Sequence, residues 1–196
     1  MKTTVSARLR DFGLAIALAA MATAFPAAAA NFLVNIDDQQ AIDDHGSAQD
    51  FNLNDAVCDV DNNPSAPHPC TLLAALQQAN FNANRDGIKF QNGLNLITLT
   101  VGLPSIAHPV DIEGNVSGDD PLTAVDADGN GLFAFEHAAS LNGGSSIKNL
   151  KLMNAGGVGL SLDGTPYIVD KLWIGLNQAG TAAAGSGGNG IVVQNT

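Results

Sequence analysis

Asp126-Ala-Asp128-Gly-Asn130-Gly131 sets oxygen donors at alternate positions, the spacing with which a calcium-binding loop begins. Asp126, Asp128 and Asn130 would supply the first three ligands and Gly131 the sharp turn. The twelfth position, where a bidentate glutamate closes such a loop, is His137, with Glu136 one residue short. Asp, Asn and Gly also tolerate positive φ, so a plain turn is the preferred reading and calcium the single cofactor candidate. Asp59-Val-Asp61-Asn-Asn-Pro64 has similar spacing but carries proline in place of the glycine. His45, His68, His108 and His137 are scattered, and the sequence argues for neither a zinc site nor a nucleophile triad. Lyase chemistry on uronates needs a base and cations, for which Arg85, Lys89, Lys148, Lys151 and Lys171 are present; Lys148 and Lys151 read as one solvated face. Glycoside hydrolysis needs two facing carboxylates, and Asp111, Glu113, Asp126, Asp163 and Asp170 are the candidates. Catalytic residues are not assigned by the sequence.

The first 30 residues set the compartment. A basic start, an apolar run from Phe12 to Phe25 and the small residues of "PAAAA" form an export signal, with cleavage expected after Ala30. The apolar run is short for a bilayer span, and Arg8 and Arg10 are not adjacent as twin-arginine export would require. An exported destination, whether periplasm, cell surface or medium, favours a disulfide between the only two cysteines, Cys58 and Cys70. Metal ligation by these thiols is the competing reading, but their spacing matches no zinc pattern. The net charge is -11, and the export segment holds Lys2, Arg8 and Arg10 against Asp11, so the rest is more acidic still. Such a field repels phosphate backbones and excludes nucleic acid as a partner. No second segment is apolar enough to span a membrane by helix.

The elements that must position these side chains are short. "CTLLAALQQAN" (70–80) reads as a helix with Thr71 as N-cap. Strand-sized runs follow: "GIKF" (87–90), "LITLT" (96–100), "VDIEG" (110–114), "LTAVDA" (122–127), "LFAFE" (132–136), "SIKNLKL" (146–152), "GVGLSL" (157–162), "YIVDKLWIGL" (167–176) and "NGIVVQN" (189–195). Ile147, Leu150 and Leu152 recur as Val169, Leu172 and Ile174 at a step of 22. Gly-x-Gly followed by Leu or Ile recurs at Gly129, Gly157 and Gly188, with steps of 28 and 31. Unequal steps around aligned strands suggest rungs of fixed width with variable loops, the pattern of a parallel β-helix; a glycine-rich β-sandwich is the competing arrangement. Asn149 and Asn154 are expected at corners in a left-handed conformation.

"VCDVDNNPSAPHPCTLLAALQQAN" resembles the start of exported bacterial right-handed parallel β-helix proteins, whose signature reads Cys-Ser-Leu-Arg-Glu-Ala-Ile after an Asp-rich loop with another cysteine. Cys70, Thr71, Leu72, Ala75 and Leu76 fall on the signature; Leu73 and Ala74 replace its charged pair. The resemblance implies an all-β, pectate-lyase-like solenoid, with "FLVN" (32–35) as first strand and the helix lying over the first rung as a cap. Three regions are expected: the export signal (1–30), a cap with the disulfide loop and helix (31–86), and β-helix rungs (87–196). "NGIVVQNT" ends in a strand-like repeat, so further chain or another molecule is expected to cover that edge. The expected role is structural, adhesive or glycan-contacting, with polysaccharide or cell-surface partners. The alternative is a carbohydrate-active enzyme, a polysaccharide lyase or glycoside hydrolase.

Overall fold

The computed structural model describes residues 29–37, 49–55, 57–61, 68–82, 84–136, 144–164 and 166–194. The sequence readings on His45, Pro64, His137 and most of the export signal lie outside these residues. The chain order is β1 (Asn31–Val34), α1 (Leu72–Phe81), β2 (Asp86–Phe90), β3 (Leu96–Thr98), β4 (Val110–Glu113), β5 (Val116–Ser117), β6 (Asp120–Pro121), β7 (Thr123–Asp126), β8 (Phe133–Glu136), β9 (Ser145–Met153), β10 (Leu160–Asp163), β11 (Tyr167–Ile174) and β12 (Ile191–Gln194). The protein is mostly β, with one short helix among the described residues.

Except for the β5–β6 hairpin, the paired strands run parallel. The first stack is β1, β2, β4 and the leading half of β9, followed by β11. The second is β3, β7, the trailing half of β9 and again β11. The third is β8, β10 and β12, with Ile106 bridging to Phe135 beside it. Strands β9 and β11 serve two stacks because each bends in its middle, at Asn149 (φ 59) and Lys171 (φ 49). Asn154 also lies at positive φ, as the sequence suggested for both asparagines.

The 22-residue repeat is a register: Val169, Leu172 and Ile174 pair with Ile147, Leu150 and Leu152. The 31-residue step likewise pairs Leu160 with Ile191. The 28-residue step is one residue out, since Leu160 pairs with Phe133 rather than Leu132. The glycine immediately before each of the last two copies is required for close backbone approach. A Cβ on Gly156 would collide with the carbonyl oxygen of Gly129, and one on Gly187 would lie 2.5 Å from that of Gly156.

Period-two alternation sends one face of each strand inward. Phe32, Ile88, Ile112 and Ile147 form one buried column, Ile97, Val125 and Leu152 a second, and Phe133 with Leu160 a third. At the far end the columns emerge: Val169, Ile191 and Val193 are exposed. Helix α1 packs against β1 and β2 with Leu72, Leu73, Ala75, Leu76 and Ala79 buried. Its N-terminus is closed by Thr71, whose Oγ1 accepts from the Ala74 amide at 3.0 Å.

Candidate functional site

The side chains that point outward from the first stack form a charged strip. Register places Lys89 beside Glu113, Glu113 beside Lys148, and Lys148 beside Asp170. The signs therefore alternate across four neighbouring strands, about 4.8 Å apart in a parallel sheet. Lys89 Nζ lies 3.7 Å from Glu113 Oε2. Two residues back along each strand, Asn31, Gly87, Asp111, Ser146 and Ile168 make a parallel row.

Arg85 fixes the centre of that second row. Its Nε and Nη2 donate to the two Asp111 oxygens at 2.8 and 2.7 Å, and Ser146 Oγ donates to Oδ1 at 2.6 Å. Partial burial pushes the Asp111 carboxyl upward, but the Arg85 and Ser146 hydrogen bonds and the nearby Arg85 and Lys148 charges outweigh it. The net shift is downward. Asp86, one residue after Arg85, is 1% exposed, and burial pushes its carboxyl up despite hydrogen bonds from the Ala30 amide (2.7 Å) and Asn82 Nδ2 (3.2 Å). Arg85, Asp86, Asp111 and Ser146, with Lys89, Glu113 and Lys148, line a shallow cavity of about 370 Å³ on the sheet surface.

The carboxylates nominated from sequence are partly brought together. Asp111, Glu113 and Asp170 share the first stack's outer face. Asp126 ends β7, and Asp163 ends β10, where its backbone oxygen accepts from the Tyr167 hydroxyl. Lys148 and Lys151 do not share a solvated face, because the bend at Asn149 separates them. Lys151 is buried, donates from Nζ to the Gln178 carbonyl at 2.7 Å and lies 4.8 Å from the Trp173 ring centroid. Lys171 Nζ reaches Asp119 on the β5–β6 hairpin at 2.7 Å, a pairing the sequence did not suggest.

Asp126 Oδ1 accepts from the Asp128 amide at 3.0 Å and from Asn154 Nδ2 at 2.9 Å. Asp128 sits at φ 47, and Asn130 Nδ2 reaches back to the Leu99 carbonyl at 3.5 Å. These bonds hold the segment as a turn against the neighbouring strands.

Cys58 and Cys70 form a disulfide with a Cα separation of 5.2 Å, and both are buried. The bridge fastens the 57–61 segment to the start of α1, supported by Val60 N donating to Pro69 O at 2.9 Å and Cys70 N to Asn35 Oδ1 at 2.8 Å. Beside it Asp59, Asp61 and His68 bring one potential ligand atom each within 4.8 Å of one another. Burial raises the Asp59 carboxyl, and the nearby Asp55 charge adds to this.

No protein family, curated protein or solved structure matches this chain.

Proposed function

We propose that the protein is an exported right-handed parallel β-helix module that holds a polysaccharide along the outer face of its first stack. It belongs, on this reading, with the exported β-helix proteins its cap segment resembles. The order of pairing supports the coil: each successive pass lays one segment on the first, second and third stacks in turn. The cap reading is supported by α1 lying against β1 and β2, tied down by the disulfide.

The observation that carries the binding role is the alternating strip Lys89, Glu113, Lys148 and Asp170, flanked by the Arg85–Asp111 pair. Donors and acceptors repeat at the strand spacing, a length comparable to one pyranose unit, so hydroxyls of an extended chain meet both kinds of partner in sequence. The net charge of -11 disfavours a polyanion, and the strip itself balances, which points to a neutral glycan. Asp111 is held ionised by Arg85 and suits hydroxyl binding better than proton donation to a leaving group.

Incubation with neutral and acidic polysaccharides, followed for retention and for new reducing ends, tests the role. Retention on neutral chains without cleavage is expected. Cleavage lost in Glu113→Gln would establish the enzyme reading, and no retention on any polysaccharide would reject both.

A further inference from the structure

We infer that Asp59, Asp61 and His68 form a binding site for a divalent first-row transition ion, of which zinc is the chemical type. The three ligand atoms lie within 4.8 Å of one another, close enough for one ion to bridge them with little movement. The second observation is the state of Asp59. Its residue is 6% exposed, yet its Oδ1 is buried without a hydrogen-bond partner. The nearest approach of His68 is 3.3 Å, from Nδ1 to Asp59 Oδ2, which leaves Oδ1 unanswered. A buried carboxylate oxygen facing nothing is costly, and a cation answers it.

The surrounding charge has the same sign. Asp55 and Asp61 both act on Asp59, and His68 is the basic side chain that faces it. One imidazole cannot balance three carboxylates, whereas a divalent ion can. The donor set chooses the ion: two carboxylate oxygens and one imidazole nitrogen suit zinc and its neighbours, while calcium takes oxygen ligands throughout.

The disulfide preorganises the site. Asp59 follows Cys58 directly and His68 stands two residues before Cys70, so the bridge sets the distance between the two halves of the ligand set. The His68 carbonyl is further held by Asn35 Nδ2 at 2.8 Å, which fixes the backbone from which the imidazole projects. Water completes the coordination on the outward side, where the His68 side chain is 28% exposed.

Calorimetric titration of the untagged, chelator-stripped full chain with zinc chloride is the test. One equivalent should bind, weakened at least tenfold by His68→Ala and by Asp61→Asn, with Asp126→Ala unchanged. Cys58→Ala with Cys70→Ala, which opens the loop without supplying thiolate ligands, should weaken binding by a similar factor. A measurement on the unaltered protein guards against variants that misfold: cobalt should broaden or shift the His68 ring resonances before those of His108. No binding at millimolar zinc, binding indifferent to His68→Ala, cobalt effects centred elsewhere, or calcium competing at equal concentration would each overturn the inference.

Discussion

Replacing Cys58 and Cys70 by alanine together removes the covalent clamp between the 57–61 segment and the helix start. The cysteines are 12 residues apart, and closing a loop of that size stabilises the folded state by about 3 kcal/mol, by restricting the unfolded chain. Loss of buried sulfur contacts adds to this figure, since both side chains are in the core. With a slope of about 2 kcal/mol per molar urea, a typical value for a domain of this size, the midpoint falls by about 1.5 M. Equilibrium urea unfolding followed by the Trp173 fluorescence and by far-ultraviolet circular dichroism measures it. Reduction of the unaltered protein should give a similar loss, which separates the crosslink from the side-chain change. A midpoint shift under 0.5 M would refute the view that the cap is fastened by this bridge. So would a shift seen in the variant but absent on reduction.

Three further outcomes follow from named contacts. Gly156→Ala should destabilise by about 2 kcal/mol or more in thermal or urea unfolding, because its Cβ meets the Gly129 carbonyl, whereas Gly131→Ala, with open space around it, should cost under about 1 kcal/mol. Thr71→Ala should cost about 1 kcal/mol by loss of the N-cap bond to Ala74, measured the same way. Asp86 has a raised carboxyl in the folded protein, so the folded state keeps a proton that the unfolded chain releases at lower pH. Its contribution to stability therefore falls as pH rises from the ordinary carboxylate value through the raised one, with a limiting slope of about 1.4 kcal/mol per pH unit. Asp86→Asn should flatten that part of the profile, and an unchanged slope would show that another group carries it.

Much of the strand layout was legible because local pattern and tertiary register coincide. Ile147, Leu150 and Leu152 repeat after 22 residues with no insertion between them, and the paired strands keep that step. The Gly129 copy misleads by one residue, since Phe133 rather than Leu132 pairs with Leu160 and Gly129 serves a turn at positive φ (81) rather than the strand register. Helix α1 showed itself through its leucines and Thr71, which act locally. The outer strip was hidden, since Lys89, Glu113, Lys148 and Asp170 are brought abreast by passes of unequal length. The β5–β6 hairpin, only two residues a side, looks like a turn until Lys171 is seen to reach Asp119. His68 joins Asp59 and Asp61 only through the closed disulfide loop, and spacing alone could not bring an imidazole back to them. The cue that was present is the pair of aspartates directly after Cys58 and the histidine directly before Pro69-Cys70.

The polysaccharide role is tested most directly by titrating soluble neutral oligosaccharides into isotope-labelled protein and mapping which backbone resonances move. The account predicts a footprint confined to β2, β4 and the leading halves of β9 and β11, strongest at Lys89, Glu113 and Lys148 and abolished by Lys89→Ala with Lys148→Ala. Resonances of β8, β10 and β12 should stay still. A footprint on that third stack, or one that survives the paired substitution, would contradict the account.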